Sequence, residues 1–388
     1  MRRLTCPVRA NWMAKVEEIG LDYHTIDSLP YWTEGVAWEF TAAEIDVLDD
    51  AANELHDMAL QAVEAVIADR RLALFGIDGL AAELVTESWR RKDPHLYGRF
   101  DFAWDGSGPP KMLEYNGDTP TALFESAIVQ HYWREELFPD TDQFNSLDEA
   151  LTERFEQMLH GLPSNDPRRL LHLACVMPHA EDEGNLRYVE ACAASAGFAT
   201  NRLSIADIGW DSARRKFVDL EERPMATLFK LYPWEWLSRE DFAQHIPASG
   251  LRLLEPAWKM VLSNKALLAQ MWEMFPHHPN LLPAAFDRDA VAHLSPHGLV
   301  RKALLGREGE NVTVFGPDGA TLAANDGSYG DEGYVWQARA PLAQAGAGGH
   351  AVLGVWMVGD GACGLGIRED DGLITMDSSR FVPHFFRA

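Results

Sequence analysis

One stretch, LYGRFDFAWDGSGPPKMLEYNGDTPT at residues 96–121, constrains the fold more than any other part of this chain. Its segments LYGRFDFAW and KMLEYN are rich in aromatic and aliphatic residues, and the turn cluster DGSGPP separates them, which predicts a β-hairpin. Side chains alternate faces along a strand, so Arg99 and Asp101 share one face while Phe100, Phe102 and Trp104 take the other. In the second strand Glu114 and Asn116 lie together, opposite Leu113 and Tyr115. A solvated polar face of an antiparallel sheet, with Arg99 neutralising the two acids, is one reading of this pattern. A cation site is the other. Two adjacent carboxylates repel unless a positive charge lies between them, and an empty site of that kind is expected to be strained. Oxygen donors with no Cys or His nearby suit Mg²⁺ or Mn²⁺ better than Zn²⁺.

The rest of the chain reads as a frame for that hairpin. Residues 41–70 show apolar positions at helical spacing behind Thr41, with Glu44 placed to complete a capping box. The segments ALFESAIVQHYWREELF and SLDEALTERFEQMLHGL predict two more helices. LLHLACVM then reads as a buried strand, EDEGNLRYVEACAASAG as a helix closed by Gly197, and FATNRLSIADI as a strand and turn. That alternation predicts a βαβ layer with parallel strands over about 168–232. Beyond residue 250, EPAWKMVLSNKALLAQMWEMF reads as helix, HHPNLLPAAF as an extended connector, and LVRKALL opens a strand-rich module broken by glycines. An α+β architecture built in lobes is expected.

Composition narrows the partners. Lys and Arg number 34 against 59 Asp and Glu, a net charge of −25, which disfavours nucleic acid and anionic membrane and suits a cationic small molecule such as an amine. The four cysteines, Cys6, Cys175, Cys192 and Cys363, form no C-x-x-C pair, so neither a disulfide framework nor a zinc knuckle is predicted. The segment MRRLTCPVRANW has no apolar core of a secretory signal, and no apolar run approaches a membrane span; a cytoplasmic location is expected.

A second constellation lies far along the chain. LVRKALLGREGENVTVF, residues 299–315, reads as strand, glycine-bearing turn and strand, with Lys302 in the first strand and Arg307, Gly309 and Asn311 in the loop. Such a loop can fold over phosphates while a lysine supplies a point charge to them, although a snorkelling lysine on an ordinary hairpin has the same pattern. Lys265 lies upstream in LSNKALL, and Gln337 belongs to YVWQARAPL, a strand running into a Pro-stopped linker that reads as a hinge for an adenine ring. Arg368 stands in a strand next to a DDG turn. GDGACG at 359–364 fits G-x-G-x-x-G but leads into the strand-like LGIRE, so a dinucleotide site is rejected; no Walker loop exists, and the adjacent His277 and His278 cannot share a helical face as metal ligands.

Taken together, YGRFDFAW, LEYNGDTPT, LSNKALL, RKALLGREGENVTVF, YVWQARAPL and GIREDDGLITMDSSRFVPH resemble the synthetase domain of the glutathionylspermidine synthase family, in the same order and over essentially the whole chain. The stand-alone bacterial proteins of that family are the most similar. The resemblance implies a circularly permuted ATP-grasp fold with a pre-ATP-grasp α/β lobe, and ATP-dependent ligation of a carboxylic acid or peptide to an amine, a polyamine among the candidates, through an acyl phosphate. It divides residues 1–388 into a metal-site hairpin at 96–121, an α/β substrate lobe at about 168–232 and a nucleotide-binding lobe at about 255–345. It implies ATP and Mg²⁺, two ions, with Asp101, Glu114 and Asn116 as metal ligands and Arg99 on the transferred phosphoryl group or the acid. Lys265 and Lys302 would grip the phosphates, Arg307 and Gly309 would lie in a mobile loop, Gln337 in the nucleotide segment, and Arg368 would face the reacting phosphate. Thr119, Thr121, Glu181 and Glu183 fall where the family recognises its acid and amine. Amidase activity is not expected, because Cys6 lacks the context of the family's amidase domain. A nucleotide-binding regulatory protein and a kinase releasing an acyl phosphate remain as alternatives on the same fold.

Overall fold

The computed structural model describes residues 1–26, 28–346 and 348–387. At its centre lies an antiparallel sheet in the order Arg380–Val382, Gly361–Asp370, Gly349–Val358, Tyr97–Ala103, Lys111–Asn116, with the short strand Ala343–Ala345 paired to Gly349–Val358. The predicted hairpin is thus incorporated into a larger sheet. Phe100, Phe102, Trp104, Met112 and Tyr115 are buried in one core with Leu353, Val355, Leu365 and Ile367. Leu48, Leu55, Ala59 and Val63 of the helix Ala42–Ala68 belong to the same core. Truncating one such phenylalanine to alanine costs about 3–5 kcal/mol, so this apolar face fixes which way the polar face must point. The helix starts at the expected capping box: Glu44 donates its N–H to Thr41 Oγ1 at 3.3 Å, and Thr41 donates its N–H to Glu44 Oε2 at 2.9 Å.

Strict alternation fails at one place in the hairpin. Asp101 pairs with Glu114, but Phe102 pairs with Met112, so Leu113 is the extra residue of a β-bulge. Leu113 therefore joins Glu114 in the lining of the polar cleft and does not lie opposite it with Tyr115.

The alternation expected over about 168–232 forms a parallel sheet in the order Arg252–Leu254, Thr227–Leu231, Leu170–Cys175, Ala199–Ser204, one strand longer at its C-terminal end than predicted. A third sheet runs Ala284–Ala285, Tyr334–Ala338, Leu299–Ala303, Thr313–Phe315, Thr321–Ala324, all antiparallel. A fourth joins Arg2–Thr5 and Val36–Thr41 to His384–Arg387.

Two predicted helices are irregular. The 255–275 segment breaks into Met260–Ser263 and Ala266–Met274, because Asn264 is extended at φ −77°, ψ 134° and its side-chain oxygen accepts from the Ala266 N–H. The 122–138 segment opens with a π-turn, Glu125–Val129, before Gln130–Leu137. GDGACG forms a turn and the start of a strand, as expected, and the four cysteines are buried and free. Among the described residues no helix is long and apolar enough to cross a membrane.

Candidate active site

The polar face of the hairpin is a chain of charge-assisted hydrogen bonds. Arg99 donates from Nε to Asp101 Oδ1 at 2.6 Å and from Nη2 to Oδ2 at 3.0 Å, a two-pronged contact. Its third donor, Nη1, reaches the Thr121 carbonyl at 2.7 Å. The Asn116 amide then donates to Asp101 Oδ2 at 3.2 Å and to Glu114 Oε1 at 3.0 Å, bridging the two carboxylates. Lys265 Nζ lies 3.1 Å from Glu114 Oε2. The neighbouring strand makes room for this row: Gly354 pairs with Asp101, and a Cβ there would lie 2.7 Å from Arg99 Cδ.

Each carboxylate thus has its own cation. Burial alone would raise Glu114, but Lys265 and Lys302 overcome it and hold the carboxyl at about 2. The expectation that an empty site is strained by like charges is therefore corrected: Arg99 and Lys265 neutralise it and Asn116 bridges it. The donors still fit a hard divalent cation. Asp101, Glu114 and Asn116 offer only oxygen and amide groups within hydrogen-bond reach, and a half-turn of the Asn116 amide exchanges its NH₂ for its oxygen.

Lys302 approaches from the third sheet, and Lys265 from the start of the helix Ala266–Met274, across a solvent-open cleft of about 920 Å³. Lys302 donates to the Leu113 carbonyl at 2.8 Å, the residue the bulge turns inward, and burial brings its ammonium down to about 8 against the opposing pull of Glu114. The break at Asn264 starts a new helix at Lys265, whose own N–H bonds the Leu304 carbonyl at 2.9 Å. Gln337 lines the cleft while its side-chain amide holds the Met112 carbonyl at 3.0 Å. The hinge reading of this segment is narrowed: the N–H groups of Ala338 and Arg339 are already bonded to the carbonyls of Pro283 and Gly298.

The glycine-bearing loop closes one wall. Gly309 adopts φ +75°, and a Cβ on it would meet the Thr375 carbonyl at 2.7 Å. Arg307 is latched across to the parallel-sheet region, donating to Glu235 Oε1 at 2.6 Å and Thr119 Oγ1 at 2.7 Å, with Asp118 Oδ2 at 3.9 Å. Asp118 in turn accepts from the buried Lys230 at 2.7 Å and from the Trp234 N–H at 2.9 Å.

A smaller pocket opens on the other side of Asp101. Arg99, Arg368, Ser126, Gly366 and Trp356 line it, and Asp101, Val352 and Thr375 line both cavities. Arg368 spans the carbonyls of Met376, Asp377 and Ser379, and its guanidinium lies 5.6 Å over the Tyr31 ring. Tyr31 donates its hydroxyl to the fully buried Glu125 at 2.6 Å. Burial and the charge of Glu181 raise the Glu125 carboxyl to about 7, and its Oε2 has no hydrogen-bond partner among the described residues.

The fold therefore gathers Arg99, Asp101, Glu114, Lys265, Lys302, Arg307, Gly309, Gln337 and Arg368 around the two cavities, and Asn116 lines a third small pocket with Lys265 and Arg307. Thr119 and Thr121 join through Arg307 and Arg99. The two glutamates of the predicted substrate set part company. Glu181 faces Glu125 and Tyr31, whereas Glu183 accepts from the His179 N–H at 3.1 Å and so caps its own helix, Ala180–Ser195. Sequence reasoning missed Asp118, Lys230, Glu235 and Glu125. The one available signal was local: Asp118 lies inside the NGDTPT turn next to Thr119.

A family model described as glutathionylspermidine synthase preATP-grasp matches residues 3–387. The chain belongs to the glutathionylspermidine synthase family. A Haemophilus influenzae relative provisionally named an acid–amine ligase is 42% identical over 401 residues, with 100% of both chains covered. Trypanothione synthetase of Crithidia fasciculata is 27% identical over 85% of this chain and 53% of its own length. The bifunctional glutathionylspermidine synthetase/amidase of Escherichia coli is 28% identical, covering 86% and 56%. The chain spans about half the length of these last two and the whole of the first. All three carry the names of ligases or synthetases, which puts this member of the glutathionylspermidine synthase family among the C–N ligases.

Proposed function

We propose that the chain is an ATP-dependent acid–amine ligase of circularly permuted ATP-grasp architecture, working through an acyl phosphate. The observation that carries this reading is the position of Asp101, which lines the larger cleft holding Lys265 and Lys302 and the smaller pocket holding Arg99 and Arg368. Two anion-binding sites that meet at a shared carboxylate suit a reaction in which a phosphoryl group passes from one anion to another.

A free carboxylate acylates poorly because its leaving group would be oxide. Its oxygen attacks the γ-phosphorus, the bond to ADP breaks, and the resulting acyl phosphate carries a stable leaving group. The amine nitrogen then attacks the carbonyl carbon, and phosphate departs. Lys265 and Lys302 grip the phosphates, and Arg99 and Arg368 hold the acid. Asp101, Glu114 and Asn116 would hold Mg²⁺, which when bound supplies charge neutralisation between donor and acceptor. Arg99 is fixed by three hydrogen bonds before anything binds, so its orientation costs nothing during reaction. The loop carrying Arg307 and Gly309 keeps water from the acyl phosphate. Glu125, fully buried behind the wall of the smaller pocket and bonded to the Tyr31 hydroxyl beneath Arg368, acts through Arg368 as a positioning residue.

The acid remains open to peptides as well as small carboxylates, and the acidic surface favours an amine, polyamines included. Mass spectrometry of products from a panel of acids and amines supplied with ATP and Mg²⁺ tests the reading. The expected outcome is ADP together with a dehydrated acid–amine adduct. ADP with a phosphorylated acid alone would make the chain a kinase, and neither product would make it a nucleotide-binding protein.

A further inference from the structure

A second cluster of ligand-bearing side chains lies outside both cavities. His56 projects from the long helix Ala42–Ala68, His95 precedes the strand Tyr97–Ala103, and Asp360 forms the turn between Gly349–Val358 and Gly361–Asp370. Two buried imidazoles converge on one exposed carboxylate: Asp360 Oδ1 lies 3.4 Å from His56 Nε2 and 3.1 Å from His95 Nε2, and the ligand atoms all fall within 4.8 Å of one another. The side chain of His56 is 0% exposed and that of Asp360 71%, so the cluster is closed on the protein side and open to solvent on the other.

Both distances to Asp360 are those of a coordination polyhedron. Metal–ligand bonds of about 2.0–2.1 Å in a tetrahedron put neighbouring ligand atoms about 3.3 Å apart, close to both distances from Asp360. The support around the ligands is also built. Tyr115 OH lies 2.8 Å from His56 Nδ1, which fixes the ring and directs Nε2 toward Asp360. The two rings stack with centroids 5.9 Å apart and planes 20° from parallel. Arg154 packs at Gly359, with its guanidinium turned to the His95 carbonyl at 2.8 Å.

We propose that His56, His95 and Asp360 bind a divalent transition metal of the zinc class, with water in the remaining position. Two imidazole nitrogens and one carboxylate select Zn²⁺, Co²⁺ or Ni²⁺ over Mg²⁺, the reverse of the all-oxygen set at Asp101 and Glu114. The ion is a staple. It ties the long helix to the approach of the strand bearing Arg99 and to a turn of the central sheet, and Tyr115, which holds His56, stands between Glu114 and Asn116. The GDGACG sequence, which is no dinucleotide loop, thus contributes one ligand from its turn.

The test is a Zn²⁺ titration of the full chain in excess Mg²⁺, read by calorimetry and by the rise in Tm, with Co²⁺ absorption reporting tetrahedral ligation. Wild type should bind one Zn²⁺ per chain and melt higher with it. Asp360→Ala, at an exposed turn, should weaken binding more than about a hundredfold, and Tyr115→Phe roughly tenfold. Glu114→Gln should leave it unchanged. No Zn²⁺ binding by wild type, unaltered binding by Asp360→Ala, or loss of binding in Glu114→Gln would overturn the proposal.

Discussion

The two hairpins that face each other across the larger cleft carry their charges in opposite ways. The strands Tyr97–Ala103 and Lys111–Asn116 hold Arg99, Asp101, Glu114 and Asn116 on paired backbone, with Phe100 and Tyr115 stacked 3.8 Å apart behind them. The strands Leu299–Ala303 and Thr313–Phe315 fix Lys302 but leave Arg307 and Gly309 in the connection between them, where Glu308 and Asn311 also take positive φ, 52° and 54°. On the first hairpin every polar group is oriented by its neighbours. On the second, the loop groups depend on ion pairs that can be exchanged, chiefly Arg307 with Glu235. On the proposed reading, the acids that would bind the cation are thus set before ligand arrives, while closure of the proposed phosphate grip is adjustable.

The largest effect should come from breaking the fixed side. Asp101→Asn removes the shared carboxylate of both cavities and the partner of Arg99, so ADP release should fall by about 3 kcal/mol or more of barrier, at least roughly a hundredfold, with the fold intact by circular dichroism. Wild-type turnover would remove Asp101 from the site. Arg307→Ala acts on the adjustable side and should cost less, roughly ten- to a hundredfold in kcat, because the loop loses its latch but Lys265 and Lys302 remain. An effect as large as that of Asp101→Asn would erase the distinction between the two hairpins.

The pH profile sharpens the comparison further. Lys302 works protonated and titrates near 8, so kcat/KM for ATP should fall as pH rises through that value, approaching tenfold per unit. Glu125, raised to about 7, carries the charge that faces Arg368 only when deprotonated, so kcat should fall as pH drops below that value. A bell with limbs near 7 and 8 is expected. Glu125→Gln should flatten the acid limb and Lys302→Arg should move the alkaline one upward. The smallest effect is expected at Gly309→Ala, which strains φ +75° and brings a Cβ to 2.7 Å from the Thr375 carbonyl. About 1–2 kcal/mol against the closed loop should appear as ADP released in excess of amide product.

What the sequence made legible was whatever local periodicity encodes. The two-faced hairpin, the Thr41–Glu44 capping box, the βαβ layer and the failure of GDGACG as a nucleotide loop all follow from patterns a few residues long. The bulge at Leu113 and the break at Asn264 do not. Each departs from a regular repeat, and each aims a functional group: the Leu113 carbonyl toward Lys302, and Lys265 toward Glu114. Glu183 looked equivalent to Glu181 until the helix start used one of them as a cap. Lys230, Glu235 and Glu125 were invisible because their partners, Asp118, Arg307 and Tyr31, lie 112, 72 and 94 residues away.

The central claim is that the acids of the first hairpin grip one metal–nucleotide together with Lys302 of the second hairpin and Lys265 at the start of the helix Ala266–Met274. Calorimetric titration of a non-hydrolysable ATP analogue, with Mg²⁺ and again with chelator, tests it most directly in wild type, Glu114→Gln and Lys302→Met. Wild type should bind at least roughly tenfold tighter with Mg²⁺, Glu114→Gln should lose that ratio, and Lys302→Met should weaken both affinities while keeping the ratio. A Glu114→Gln variant that retains the full Mg²⁺ enhancement would contradict the account.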